Sequence, residues 1–375
     1  MKEKLNIKDL WYGILHVMVA LTAILFVCGT TGINLPLSFL TIGIGTLIFH
    51  LFTKNKLAVL MGVSGSFVGG MAVVGAEYGA SYVAGGVVIA GIIYLIAGLI
   101  IRKYPSIYEK FPKYILNSAV FLIALNLMPI GASMIVGNEL VAAATIAIAF
   151  ILYTNKKLSH LAFPGALLSG AVLACISNGG LSMSSEAISI AFTKPEFNLA
   201  SLTLIGVVAL AVVFETLGDS KNCANAQGIE LEGKDFGNVL LGNGAASTVS
   251  GMMGGLPLTT YSENIGFIYL TGYKRPMAQI VASIIFIIMA FIPGLSNVLT
   301  IIPGYVYGAM LLFLFSLIGA NSIRNMDLKE DRQVIVLIAM LATFFTCPAS
   351  VFSPIAAAIL VGVFAHILTR KRKLA

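Results

Sequence analysis

An all-α polytopic membrane fold, with fourteen transmembrane segments in two inverted halves of seven, is the architecture this sequence predicts, and three observations predict it. Hydrophobic residues fill 58% of 375 positions and charged residues only 10%, with a mean hydropathy of +0.96; a soluble domain carries roughly 25% charged residues. Breaks in the apolar pattern recur at membrane-span intervals, leaving no polar stretch long enough for a separate soluble domain. The basic residues alternate between the two faces those spans define.

The first span, 10–28, follows Lys2, Lys4 and Lys8 and lacks a small-residue cleavage site, so it reads as a retained helix rather than a signal peptide. Further spans lie near 33–53, 57–75, 79–102, 114–135, 138–154, 158–177, 199–220, 236–253, 257–271, 276–295, 298–323, 333–350 and 353–369. With both termini cytoplasmic, 22 of the 23 Lys and Arg residues fall in inner segments, and only Lys194 lies outside. Misplacing one span scrambles that alternation, so the positive-inside pattern supports a multi-pass protein of the plasma or inner membrane. The net charge of +7 is then orientation, not a nucleic-acid footprint. Cys28, Cys175, Cys223 and Cys347 show no CxxC spacing and read as buried small hydrophobes rather than metal or disulfide partners.

Seven spans precede the polar stretch Ser177–Asn198 and seven follow it; an odd number per half inverts one half against the other. The third span of each half is short and glycine-rich: MGVSGSFVGG (Met61–Gly70) and GGLPLTTYSENIG (Gly254–Gly266). Paired interrupted spans at corresponding positions point to a midplane binding site. Unwound backbone at that depth survives only where protein or a cavity satisfies it, although small residues also serve plain helix packing.

Three acids fall within apolar spans: Glu215, Asp219 and Glu263. An ionisable group there costs about 2.5–3.5 kcal/mol or more, which marks it as functional by default. Glu215 and Asp219, four apart in VVFETLGDSKN, share one helix face. An acid that titrates in a water-accessible cavity couples proton movement to substrate movement. Asp219 has an alternative reading as a solvated acid at the helix end, because Gly218, Ser220 and Lys221 surround it. If 257–262 is extended, Glu263 and Asn264 stand near the start of a half-helix whose free N–H groups face a cavity. A carboxylate and an amide there read a planar ligand with alternating N–H and C=O groups, the edge of a nucleobase. His16, in YGILHVMVAL, is the other ionisable group deep in a span, either functional or a hydrogen-bonded packing residue.

These residues resemble the nucleobase–ascorbate transporter family, especially its bacterial uracil and xanthine permeases. The family signature of Gln/Glu/Pro, Asn, any residue, Gly, four residues, Thr, then Arg/Lys/Gly is matched by Glu263, Asn264, Ile265, Gly266, Phe267 to Leu270, Thr271 and Gly272. GNGAASTVSGMMGGLPLTTY, GIGTLIFHLF, FETLGD and IPGYVYGAMLLFLFSLIGANSIR also fit, so the resemblance covers essentially the whole chain. It implies short β-strands in broken spans 3 and 10, a core domain (1–112 and 199–296) and a gate domain (113–198 and 297–375), with substrate between them. It further implies Glu215, Glu263, Ser262, Asn264 and Phe67 as substrate contacts, Gly65 being the other register for the span-3 contact. Asp219 and His16 then take the proton-coupling positions.

Glu263 resembles the pyrimidine members, whereas Asp219 and Thr271–Gly272 resemble the purine ones. The reading therefore favours proton-coupled uracil import, with xanthine or uric acid as the alternative and Na+ as the alternative coupling ion. No cofactor is expected, and the resemblance allows for a homodimer. Two other classes compete. GVSG (Gly62–Gly65) matches the GxSG of intramembrane serine proteases, but that reading leaves Glu215 and Glu263 without a role. Anion exchangers of the sulfate type share the architecture, but an anion calls for positive charge where this chain offers acids.

Overall fold

A computed structural model of the chain describes residues 5–106, 112–155, 158–178, 189–299, 301–324, 326–347 and 354–370. In the first half it runs α1 (Ile7–Thr31), α2 (Leu35–Thr53), β1 (Met61–Val63), a 3-10 turn (Gly65–Phe67), α3 (Val68–Tyr78), α4 (Ala80–Lys103), α5 (Lys113–Met134), α6 (Glu139–Thr154) and α7 (Ala162–Ser177). The second half runs α8 (Val207–Gln227, after a π-turn at Ser201–Gly206), α9 (Gly233–Met253), β2 (Leu258–Thr260), α10 (Ser262–Thr271) and α11 (Met277–Ala290). It continues through the short α12 (Leu295–Leu299), α13 (Gly304–Arg324), α14 (Asp331–Thr346) and α15 (Pro354–Arg370). Both glycine-rich spans are therefore broken as expected, each a three-residue strand followed by a short helix.

Local signals explain the ends. Asn6 caps α1 while the Asp9 carboxylate accepts the Asn6 N–H at 2.8 Å, and Gly32 closes the helix at φ 71°. Among the described residues, six helices are long and apolar enough to cross a bilayer on their own, and apolar helices such as α6, α7 and α11 are shorter. The two glycine-rich spans are strand–helix composites, and several other apolar helices are short as well. Ile92, Ile96 and Leu99 on α4, Phe150 and Ile151 on α6, and Val172 and Ile176 on α7 are exposed, as lipid-facing residues should be.

The packing maps onto itself when each element is exchanged for its counterpart in the other half. The contact of α4 with α9 becomes that of α11 with α2, and α1 with α11 becomes α8 with α4; α6 with α7 becomes α14 with α15. The contacts of α5 with α13 and α2 with α9 map to themselves. At the centre β1 and β2 pair antiparallel, Met61 opposite Thr260, Gly62 opposite Thr259 and Val63 opposite Leu258. Close approach depends on glycine. A Cβ on Gly62 would lie 2.4 Å from the Tyr261 ring, and one on Gly244 would lie 2.7 Å from the Leu95 backbone N in the α4–α9 contact.

Two expectations change at this level. Helix α8 continues to Gln227, so Asp219 sits two turns inside it and is 1% exposed, which removes the solvated helix-end alternative. Cys28 and Cys223 are buried as expected, but Cys175 is exposed. Of the polar link, residues 179–188 lie outside the described residues. Residues 189–198 run extended across one end of the bundle, where Thr193 N–H donates to Met253 C=O at 3.1 Å and Glu196 N–H to Ser81 C=O at 2.8 Å. The opposite end is the basic one. There Lys56 pairs with Asp235, Arg275 with Asp9 at 3.3 Å, and Tyr273 Oη donates to Asp9 at 2.7 Å.

Candidate functional site

The crossed strands end where α8 passes, and each strand end holds one of the α8 carboxylates. Past β1, Ser64 Oγ donates to Glu215 Oε2 at 2.7 Å. Past β2, Ser262 Oγ donates to Asp219 at 2.7–2.8 Å and Thr260 Oγ1 does so at 3.3 Å. The i, i+4 spacing on α8 thus matches the gap between two strand ends, which explains why the acids stand one turn apart. A third carboxyl, Glu263, lies in the first turn of α10 and is 5% exposed. All three are buried, and the charged groups acting on Asp219 are the other two acids, Glu215 and Glu263. Like charges gathered out of water are costly to keep unless protons or ligand N–H groups offset them.

Fully buried polar side chains brace this arrangement. Asn243 on α9 donates from Nδ2 to Thr216 Oγ1 at 3.0 Å and to Thr259 Oγ1 at 3.1 Å, and the two hydroxyls lie 2.8 Å apart. The helix carrying Glu215 is therefore bolted to the strand facing it. Sequence reasoning missed this brace, together with Ser64 and Thr260. The available signal was a run of small polar residues at strand ends facing acids, a pattern that burial would have to satisfy with hydrogen bonds.

Two small cavities, each about 20 Å3 and each wide enough for about one water, flank the start of α10. The first holds Glu263 and Gly65 against Phe26 of α1 and Leu311 and Phe315 of α13, with mostly apolar walls. The second, toward the basic end, joins Asp219 and Ser262 to Asn222, Tyr269 and Ser322. Gly65 lines the first cavity, whereas Phe67 is completely buried in the core. A wider cavity, about 480 Å3, lies elsewhere. It is bounded by Cys28, Asn34, Thr193 and Gly254 at the outer ends of α1, α2 and α9, and includes none of the three acids.

His16 and Asn264 stand behind the acids. His16 Nε2 lies 2.9 Å from Gln279 Nε2 of α11, its ring meets Phe267 edge-on at 5.0 Å, and Asn264 Nδ2 donates to the His16 carbonyl at 3.4 Å. His16 is thus brought to Asn264, the neighbour of Glu263, and none of its described hydrogen bonds reaches Asp219. Gln279 could have been noticed as an amide within an apolar span, as could Asn243. Ser64, the serine of the GVSG match, gives its hydroxyl to a carboxylate rather than to a histidine.

The chain is similar in sequence to known permeases. The uracil permease of Paenibacillus larvae is 27% identical over 80% of this chain and 77% of its own length. The xanthine permease of Bacillus subtilis is 24% identical over 75% of this chain and 69% of its own length. Among solved structures, the transmembrane domain of a cyanobacterial bicarbonate transporter, BicA, superposes with a TM-score of 0.68 at 15% identity, covering 96% of both chains. That likeness gives the core-and-gate fold. The relatives are transporters and not enzymes, so the protease reading is set aside. Residues 8–355 match the model described as the permease family, the one that holds xanthine and uracil permeases, so the chain belongs to the nucleobase–ascorbate transporter family of multi-pass membrane permeases.

Proposed function

We propose that this permease imports a nucleobase, uracil in preference, by proton symport, through alternating movement of a core domain (1–112 and 199–296) against a gate domain (113–198 and 297–375). One observation carries the reading: Glu215 and Glu263 are buried carboxyls brought to the strand crossing, where the charge around them is acidic. Carboxylates accept hydrogen bonds only, and uracil and xanthine both present N–H donors in a planar ring. An anion would meet repulsion here, which argues against the cargo of the structurally similar bicarbonate transporter. Uracil is favoured because Glu263, rather than an amide, stands at the α10 start. Xanthine or uric acid stays as the second reading, supported by the B. subtilis relative and by Asp219.

In this reading Glu215 and Glu263 hold the base, Ser262, Asn264 and the span-3 turn complete its pocket, and Asp219 carries the coupled proton. Phe67 belongs to the shell behind that turn, and His16 steadies the α10 start through Asn264. The basic end faces the cytoplasm with both termini, in the plasma or inner membrane, on the strength of the Lys and Arg distribution. The test is uptake of radiolabelled uracil into proteoliposomes under an inward proton gradient, with unlabelled xanthine as competitor. Gradient-driven uptake that xanthine leaves untouched is the expected result. Xanthine transport without uracil uptake reverses the substrate assignment, and uptake indifferent to the gradient rejects the proton.

A further inference from the structure

The two water-sized cavities differ in polarity, and only the one at Asp219 faces the basic end. Asn222 follows Asp219 by three residues on α8 and so lies on the same face. It is 7% exposed, and its Oδ1 is buried with no hydrogen-bond partner. Across the cavity Ser322 of α13 is 1% exposed; its hydroxyl donates to the Ile318 carbonyl at 2.9 Å, leaving its oxygen free to accept. Ser262 Oγ and the Asp219 carboxyl form the remaining polar wall, and Gly266 adds no side chain to fill the space. A buried water needs about one probe volume of space and two to four polar partners. This cavity meets both conditions with side chains of Asp219, Asn222, Ser262, Tyr269 and Ser322, whereas Glu263 is the one polar side chain among the described residues lining the other.

We infer that a single water held by Asn222 and Ser322 takes the proton from Asp219 toward the cytoplasm, which makes Asn222 a positioning residue for proton release. The inference rests on the proton-symport reading above. In the step, the Asp219 O–H bond breaks, its proton joins the water, and another proton of that water passes on to the inner solvent. Asp219 is left as a carboxylate still bonded by Ser262 and Thr260, and no electron changes hands. The titratable groups around Asp219 are Glu215 on its own helix, Glu263 on α10, the Cys223 thiol and Tyr269 of α10, whose hydroxyl donates to the Asn222 carbonyl at 2.9 Å. The facing walls of α5 and α13 supply Val120, Ile318 and Ser322. Among the described residues lining this cavity Asp219 is the one acid, whereas release the other way runs past Glu215 and Glu263.

The experiment compares net uptake driven by a proton gradient with exchange of labelled for unlabelled base, which needs no deprotonation. It uses the full chain in proteoliposomes with a trapped pH dye, and whichever of radiolabelled uracil or xanthine the wild type moves. Asn222→Leu should lower net uptake about tenfold while exchange stays within about twofold, a fraction of what a proton-transfer group contributes. Asn222→Ser, which keeps a water-binding hydroxyl, should restore most of the net rate. Equal retention of both rates in Asn222→Leu overturns the inference. Should Asn222→Leu lose exchange as well, Ser322→Ala decides by the same ratio, an unchanged ratio being the overturning result. If the wild type moves base with no proton, symport itself fails and takes the inference with it, an outcome distinct from a silent Asn222.

Discussion

The two halves of this molecule share their packing and differ in their chemistry. Helices α1 and α8 are counterparts under the exchange that maps the fold onto itself, yet α8 carries Glu215 and Asp219 while α1 carries His16. Strands β1 and β2 pair across the centre, but β1 leads to Ser64 and Ser66 whereas β2 leads to Ser262 and Glu263. The serines of both ends serve acids that all belong to the second half. Packing follows the symmetry because glycine stripes and apolar faces recur in both halves. The acids depart from it, since all three belong to the second half.

Glu215→Gln breaks this comparison hardest. It removes a buried carboxylate from its Ser64 bond, and a hydrogen bond to a charged group carries up to about 3 kcal/mol, so uptake should fall by about 100-fold. Normal uptake of labelled uracil by that variant would falsify the assignment of Glu215 to the base. Next comes Glu263→Gln, which exchanges a pure acceptor for an amide that both donates and accepts. Half-saturation by uracil should rise about tenfold, the scale of one altered polar contact to a ligand, and xanthine should become a better competitor. An unchanged ranking of the two bases would remove Glu263 from the base-reading edge.

The serines at the two strand ends sharpen the same contrast. Ser64→Ala should raise the KM for base about fivefold and leave the proton-to-base ratio unchanged, because it touches the acid assigned to the base. Ser262→Ala should do the reverse, slowing gradient-driven uptake about fivefold while exchange persists. If the two variants behave alike, the division of labour between the strand ends is wrong, whatever the fold.

Much of this was legible in the sequence, for identifiable reasons. Hydropathy and the two glycine-rich segments located the broken spans, because backbone polar groups cannot be left unsatisfied in lipid. Intramembrane acids stood out for the same cost argument. What the sequence concealed is pairing in space. That α8 spans the gap between two strand ends, that Asn243 bolts it there, and that His16 meets Gln279 instead of Asp219 all depend on contacts between residues 16 or more apart in sequence. The end of α8 was misplaced for a different reason. Gly218, Ser220 and Lys221 read as a terminus, but burial against α10 and the strands carries the helix on to Gln227. Helix propensity is a weak guide against tertiary packing.

Packing itself can be tested at Gly244. A methyl there meets the Leu95 backbone and the Gly91 carbonyl at 2.7–2.8 Å, and backbone cannot step aside as a flexible side chain can. Gly244→Ala should therefore destabilise by about 1–3 kcal/mol, read as a lower melting temperature of the detergent-purified protein. Because Gly244 itself faces Leu95 and Gly91 of α4 and none of the three acids, the surviving protein should transport with an unaltered KM. A changed KM at full stability would mean that this contact is part of the moving machinery and not only its frame.

The smallest expected effect belongs to Gln279. Its amide meets His16, but a hydrogen bond between membrane helices averages only about 0.6 kcal/mol, since the separated helices find other partners. Gln279→Leu should thus barely move the melting temperature. Its influence on transport runs through two links, from His16 to Asn264, which donates to the His16 backbone carbonyl, and from Asn264 to the first turn of α10, where Glu263 stands. Each link dilutes the next, so uptake should change by about twofold at most, and through KM rather than through the proton ratio. A change in that ratio would instead tie His16 to the proton step, and would give the first half a share in the chemistry that its packing alone does not reveal.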